Sequence, residues 1–542
     1  MLSVLKQMPW KLHLVLVVGT FGGSVVGIDT ALVGGAQLFF IKRFNLDASL
    51  QGLTIAATLL GALLGSFLST LLNSLIGRRG SMFLAGLDAI VAGLIEAFSN
   101  IWGVLLFGRL VLGVSFGVFT STIPVFLSEC APTEIRGVFT TVYQVAYVFG
   151  YFIGFVVDVI FVNISHGWRF MLGAVILPAT VDVIALFFSC ESPRWLLSKG
   201  RLEKAKNSLY QLRNSEEIAL RDLELMSNFI DKERQAAKSQ PSFIRIVQDK
   251  PSVRRALMLG LALQIAQQFS GVNAVMFYFD YVLQLAGLSD SRSIEISLAL
   301  GFGTVIFGLP TFWLVDRVGR RILLLSTMPF VAITLWMCGF SFFGDKQVRL
   351  ALNITGTLLF RLFLGPGIGP MPWVITAEIY PWQIRTQCLT LNSFCSYMLN
   401  FVVSFSWPTM LKTMHAQGAF GFFGGFTIFS TVFIFLFLPE TKGLEMEATH
   451  QLFEESFFQI AKKHVEEIPK AFGKMINRNA KCRDDDNQNE TAKMEDNRIG
   501  NLTTEAASSL AAKSTKKHSI EAEQMNDFER TEISKHLDQT CT

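Results

Sequence analysis

Apolar residues fill the first 438 positions of the chain in long runs, and one extended polar stretch, from Cys190 to Arg255, interrupts them. A helix needs about 20 consecutive apolar residues to cross a bilayer. Windows of that kind recur near 12–38, 50–72, 81–99, 101–127, 138–161 and 168–189 before the interruption. Six more follow it, near 256–286, 295–315, 322–343, 348–379, 386–409 and 418–438. The pattern predicts an all-α membrane protein, with twelve transmembrane helices in two six-helix bundles. The implied parts are an N-terminal bundle (1–189), a helical linker (190–255), a C-terminal bundle (256–438) and a polar tail (439–542).

The linker opens with Glu191-Ser192-Pro193-Arg194 and continues with Lys/Glu-rich helical periodicity to Arg234. An even number of spans puts both termini on one side of the membrane. The short loops divide their Lys and Arg almost equally, but the linker alone carries 14, which makes its side cytoplasmic by the positive-inside rule. A plasma-membrane protein is expected, with the vacuolar or another internal membrane as the alternative. From Gly473 onward Phe528 is the only aromatic residue, so the tail is expected to be disordered and cytoplasmic, available for sorting, turnover or phosphorylation.

Composition agrees with a polytopic protein: 51% of the 542 residues are hydrophobic, more than a soluble core could hide. A net charge of +4, divided between loops and tail, gives no nucleic-acid surface. The seven cysteines lack paired spacing, and the predicted topology puts none in an external loop, so neither disulfides nor a metal site is expected. His13, His166 and His415 stand singly near segment ends, and the chain lacks the phosphate loop of an ATP-driven pump. An enzyme and an ATPase are therefore both disfavoured, and no cofactor is expected. The first apolar run follows Lys6 and Lys11 and ends without a small-residue cleavage pattern, which predicts that no signal peptide is removed.

The two halves repeat each other. Ile76-Gly77-Arg78-Arg79 follows the second window, and Asp316-Arg317-Val318-Gly319-Arg320-Arg321 follows the eighth. Ser128-Glu129 with Arg136-Gly137 after the fourth window parallels Ala377-Glu378 with Arg385 after the tenth. Duplicated halves around a midplane path suit alternating access, in which one half rocks against the other.

At these repeats the chain resembles the sugar porters of the major facilitator superfamily. The resemblance rests on Gly27-Ile28-Asp29-Thr30, Gly108-Arg109, Pro132 to Gly137, Gly167-Trp168-Arg169, Glu191 to Leu197, Gln267 to Asn273, Asp316 to Arg321, Gly369 to Trp373 and Pro439 to Gly443. These stretches stand in family order and cover all but the tail. They imply the major facilitator fold and transport of a hexose, pentose, polyol or inositol, with the protein expected to act as a monomer in the bilayer.

Polyhydroxylated ligands need amides, which donate and accept at once, set against an aromatic face. Gln267, Gln268 and Asn273 lie roughly 18 to 27 Å along a helix from Arg255, near mid-membrane. The resemblance adds Gln144, Trp373 and Asn400 as sugar ligands, Trp373 also as an inner gate. Thr304, Phe277 and Ser396 stand where the family carries Asn, Tyr, and Asn or Gln, so the preferred sugar is expected to differ from glucose.

Asp29 lies inside the first window, and an intramembrane acid is a functional residue by default. Arg109 lies at comparable depth and is its natural partner. Proton-coupled members of the family keep Asp at this position where facilitators carry Asn, so the resemblance favours proton symport. An uncoupled uniporter and a non-transporting sugar sensor remain the alternatives. Gating is expected of Glu129 with Arg136 and of Glu378 with Arg385, bridging helix ends in one conformation and releasing them in another, together with Glu191, Arg194, Asp316, Arg317, Arg320 and Arg321. Ser74 and Leu75 replace the family's acidic and basic residues in the first half, which weakens that latch. The remaining intramembrane charges, Asp88, Glu96, Asp158, Asp182 and Arg361, receive no role from the residues or the resemblance.

Overall fold

The computed structural model describes residues 8–239, 243–308, 314, 317–381, 384–442 and 450–466, and within them every regular element is helical. Before the linker lie α1 (Trp10–Phe44), α2 (Ala48–Leu75), α3 (Gly77–Ala97), α4 (Trp102–Cys130), α5 (Arg136–Phe161), α6 (Gly167–Gly173) and α7 (Ile176–Phe188). The linker folds as α8 (Pro193–Ser198), α9 (Leu202–Leu212), α10 (Glu216–Ser239) and α11 (Phe243–Asp249). Then follow α12 (Pro251–Gln268), α13 (Val272–Leu285), α14 (Asp290–Gly308) and α15 (Arg320–Phe340). The last are α16 (Lys346–Leu364), α17 (Met371–Ile379), α18 (Arg385–Thr413) and α19 (His415–Phe437). Over its described residues, each apolar window coincides with one helix or with a broken pair. Nine of the spans among the described residues are long and apolar enough to cross a membrane. The windows that fall short are the broken pairs α12/α13 and α16/α17, and α14, whose first turns carry Asp290, Arg292 and Glu295.

Local chemistry sets the helix ends. Asn45 closes α1 in the left-handed conformation (φ 49°), with Lys42 and Arg43 beside the carbonyl end of the helix dipole. Asp47 then caps α2 by accepting from Leu50 N. Two breaks fall at mid-membrane positions. Gly271, at φ +77°, separates α12 from α13, and the Gly365 to Pro370 run separates α16 from α17. The apolar pattern runs both windows, 256–286 and 348–379, through as single spans.

Packing follows membrane rules, in which small residues let backbones approach. A Cβ at Gly61 would lie 2.1 Å from the Leu110 carbonyl oxygen, and one at Gly113 would lie 2.1 Å from that of Thr58, so α2 and α4 meet backbone to backbone. The helices before the linker pack α1 on α5 and α2 on α4, while α15 packs on α19 after it. The two sets meet through α2 with α18, α5 with α14 and α1 with α13.

Several polar contacts between the sets lie toward the membrane face opposite the linker, here termed the distal side. Lys42 Nζ meets Asp290 Oδ2 at 2.5 Å, Ser291 Oγ meets Asn163 Oδ1 at 3.2 Å, and Gln37 Nε2 donates to the Phe277 carbonyl at 2.7 Å. Toward the linker side, Leu75, Val138 and Leu391 stand exposed. The linker has a small core of its own, built from Trp195, Leu196, Leu197, Ala205 and Ile230. Arg213 ties it to the membrane helices by donating to the Cys130 carbonyl at 2.9 Å. A second compact unit begins at Lys462, and its described residues, 462–466, are helical.

Candidate functional site

Asp29 and Arg109 form the expected pair. Both are almost fully buried, and the guanidinium grips the carboxylate with two hydrogen bonds, Nη1 to Oδ1 at 2.5 Å and Nη2 to Oδ2 at 3.1 Å. Fork geometry of this kind matches a carboxylate edge. A third member joins them: Glu96 Oε2 lies 3.5 Å from Arg109 Nη1, fully buried, with no hydrogen-bond partner for either oxygen. The tight turn at 98–101 folds the last turn of α3 beside α4, and that hairpin was the available signal for Glu96. Two carboxylates thus share one guanidinium inside the membrane.

The helix break at Gly271 places three amides in one network. Asn273 Nδ2 donates to Gln268 Oε1 at 2.5 Å, Gln268 Nε2 donates to Ser396 Oγ at 2.9 Å, and Gln267 donates to the Gly369 carbonyl within the α16–α17 break. The two breaks therefore face each other. Ser396, the shortened arm on α18, is filled by Gln268. Thr304 accepts from Arg361 Nη1 at 2.5 Å, a cation that sequence reading left unplaced. Asn400 is half-buried and accepts from Ser404 at 3.2 Å, Trp373 is exposed beyond the break, and Gln144 is exposed on α5. Gln264, one turn before Gln267, is fully buried with neither amide atom partnered, a polar group that sequence reading missed.

At the linker side the duplication becomes geometry. Glu129 accepts from Arg78 Nη2 at 2.9 Å and from Ser192 Oγ at 2.5 Å; Glu378 accepts from Arg320 Nη2 at 2.9 Å and from Thr441 Oγ1 at 2.7 Å. Glu191 accepts from the backbone N–H groups of Arg78 and Arg79 at 3.0 and 3.1 Å, and Glu440 does the same for Arg320 and Arg321 at 2.9 and 3.1 Å. Each acid thereby serves the positive N-terminus of a helix, α3 or α15. Gly77 and Gly319 hold positive φ at these junctions, +88° and +104°, and a Cβ there would lie 2.3 and 3.0 Å from the Glu191 and Glu440 carboxylates. Burial pushes the Glu191 carboxyl above its ordinary value, opposed by the N–H groups of Ser192, Arg79 and Arg78.

The expected partners differ. Glu129 takes Arg78 rather than Arg136, which is exposed, and Glu378 takes Arg320 rather than Arg385, which donates to the Tyr380 carbonyl at 3.2 Å. Sequence proximity suggested the nearer arginines, but the repeated Gly-Arg-Arg turns bring Arg78 and Arg320 onto the neighbouring helix ends. Arg321 donates to the Phe435 carbonyl at 2.9 Å, the Arg317 carbonyl accepts from Lys442 Nζ at 2.6 Å, and Arg194 lies over the Phe229 ring at 5.2 Å. Asp316 lies outside the described residues. In the first half Ser74 turns back to the Leu71 carbonyl and Leu75 is exposed, so neither contributes to the cluster.

A membrane-embedded ion cluster, two facing helix breaks lined by amides and a duplicated carboxylate–arginine latch define a solute transport protein. Residues 15–453 match the family described as sugar (and other) transporters, and the chain belongs to it. The major myo-inositol transporter IolT of Bacillus subtilis (strain 168) is 32% identical over 460 residues, 83% of this chain and 96% of that protein. The proton myo-inositol cotransporter of Homo sapiens is 28% identical over 536 residues, 83% of each chain. Among solved structures, the inward-open xylose transporter XylE from E. coli superposes with a TM-score of 0.69 at 24% identity, covering 81% of this chain and 99% of XylE. XylE described as a proton:xylose symporter of the major facilitator superfamily, bound to 6-bromo-6-deoxy-D-glucose, gives 0.66 over 82% and 99%. The fold is the major facilitator fold.

Proposed function

We propose that the chain carries a monosaccharide or polyol across a membrane together with a proton, by alternating access between the bundles 1–189 and 256–438 joined by the linker 190–255. The observation that carries this reading is the buried Asp29–Arg109 fork, with Glu96 behind it. Deprotonated Asp29 holds Arg109 and fixes α1 against α4. Protonation cancels the charge on Asp29 and loosens the fork, and Glu96, 3.5 Å from Arg109 Nη1, is then the carboxylate left to face the guanidinium. The released state therefore does not strand a bare cation in the membrane, and the two arrangements stay close enough in energy to exchange.

The substrate sits at the paired helix breaks, contacted by Gln144, Gln267, Gln268, Asn273, Thr304, Trp373, Ser396 and Asn400. The network among Gln267, Gln268, Asn273 and Ser396 supports this, because each of these amides can trade a neighbour for a ligand hydroxyl. Two similar relatives carry myo-inositol in their names, which supports that polyol as the first candidate to test. The distal contacts and the exposed apolar residues on the linker side support a state open toward the linker, the cytoplasmic side in this reading of a plasma-membrane monomer. Glu129, Glu191, Glu378, Arg320, Arg321 and the neighbouring Arg136, Arg194, Arg317 and Arg385 act in gating on that side.

The test is uptake of labelled myo-inositol, hexoses and pentoses into proteoliposomes, with and without an inward proton gradient, by the parent protein and by Asp29→Asn. Gradient-driven accumulation is expected from the parent, and only gradient-independent exchange from the variant. Uptake indifferent to the gradient would make the protein a uniporter. No uptake, accompanied by sugar-dependent thermal stabilisation, would make it a sensor.

A further inference from the structure

We infer that Asp158, Asp280 and Arg361 form a second proton-binding site, built across the two helix sets and assembled while the distal side is closed. Asp158 on α5 is fully buried, and neither of its carboxylate oxygens has a hydrogen-bond partner. Asp280 on α13 is buried too and accepts from the Ser297 hydroxyl of α14. The carboxylates flank adjacent residues of α1: a Cβ at Gly34 would lie 2.6 Å from Asp280 Oδ2, and one at Gly35 would lie 2.6 Å from Asp158 Oδ2. Arg361 on α16 is buried and reaches across the sets, donating from Nη2 to the Tyr151 hydroxyl of α5 at 3.0 Å.

Charge counting defines the ligand. Two carboxylates against one guanidinium leave the ionised cluster with a net negative charge in hydrocarbon, which is costly; one bound proton cancels it. Every packed element is consistent with this count. Asp29 of α1 adds a further negative charge, and it shares Arg109 with Glu96 of α3. On α5 the other titratable neighbours are the neutral phenols Tyr147 and Tyr151. The ionisable residues of α14, Asp290, Arg292 and Glu295, lie in its first turns at the distal surface. Arg169 of α6 is turned to the Ala97 and Ser99 carbonyls, and α18 carries its charges, Arg385 and Lys412, at its two ends.

Asp158 and Tyr151 belong to the first set, Asp280 and Arg361 to the second. Distal opening must therefore break the Arg361–Tyr151 bond and admit water to both carboxylates, which then ionise freely. The closed state binds one more proton than the open one, so acidification favours closure, by up to about tenfold in the closed-to-open ratio per pH unit. This rests on the alternating-access reading, but not on Asp29 being the coupling residue.

The experiment places spin labels at Arg43→Cys and Arg292→Cys, on opposite sides of the distal rim, after replacing Cys395, Cys482 and Cys541 with Ser. The rim distance is read by pulsed electron resonance in neutral and acidic buffer. The parent and Asp29→Asn are expected to shift toward the short distance on acidification. Asp158→Asn/Asp280→Asn is expected to lose the shift, because no carboxylate is left there to take a proton, and Asp158→Asn alone to lose it as well, since Asp280 and Arg361 then balance. A shift that persists in both Asp158 variants, or that is absent from the parent, overturns the proposal. Sugar uptake by the same liposomes reports separately: an intact shift without uptake removes the transport reading and leaves this site standing.

Discussion

Glu96 and Asp29 act as alternative counter-ions for Arg109, so their removal is expected to be strongly non-additive. Asp29→Asn keeps the shape but forfeits the fork at 2.5 and 3.1 Å, while Glu96 remains at 3.5 Å from the guanidinium. At that distance an ion pair is worth about 5 kcal/mol for an effective dielectric of about 20, enough to hold the cation. The expected loss for Asp29→Asn is therefore about 1–3 kcal/mol, mostly charge-assisted hydrogen bonding. Glu96→Gln removes a buried carboxylate that accepts no hydrogen bond, and its expected cost is below about 1 kcal/mol. The double variant leaves the guanidinium buried without an anion, at about 3–5 kcal/mol. The excess over the two single losses, about 2 kcal/mol, is the coupling to be measured by unfolding in mixed micelles across the four proteins. Losses that add to within about 0.5 kcal/mol would refute the counter-ion argument.

Two other perturbations probe the gates. A Cβ at Gly52 of α2 would lie 2.2 Å from the Phe405 carbonyl of α18, a backbone contact between the two helix sets at the distal side. Gly52→Val is expected to hold that side apart, abolishing net uptake while sugar-induced thermal stabilisation persists; normal uptake would show that the contact is dispensable. On the linker side, Glu440→Gln and Glu191→Gln each remove the charge that serves the first backbone N–H groups of α15 or α3. A loss of about 1–2 kcal/mol is expected for each, and thermal melts that show only one of them to matter would break the equivalence of the two latches.

The positions of the spans were legible along the chain because bilayer thickness imposes a length that any apolar run must meet, and this is a one-dimensional property. The buried Asp29–Arg109 pair and the amides of α12 and α13 were legible for a related reason: polar side chains at mid-membrane are too costly to stand there without a partner or a ligand. Which partner each takes was not legible. Glu129 and Glu378 reach Arg78 and Arg320 across helix ends, past the arginines nearer in sequence, because the Gly77 and Gly319 turns aim those guanidinium groups at them. Glu96, Asp158, Asp280 and Arg361 are scattered single charges along the chain, and only the rotation of each helix about its axis brings Glu96 to Arg109, the two aspartates to adjacent glycines of α1, and Arg361 to Tyr151. A sequence carries depth in the membrane through distance from its polar ends, whereas azimuth depends on side-chain packing with neighbours that the chain reaches much later, and tertiary structure alone decides it.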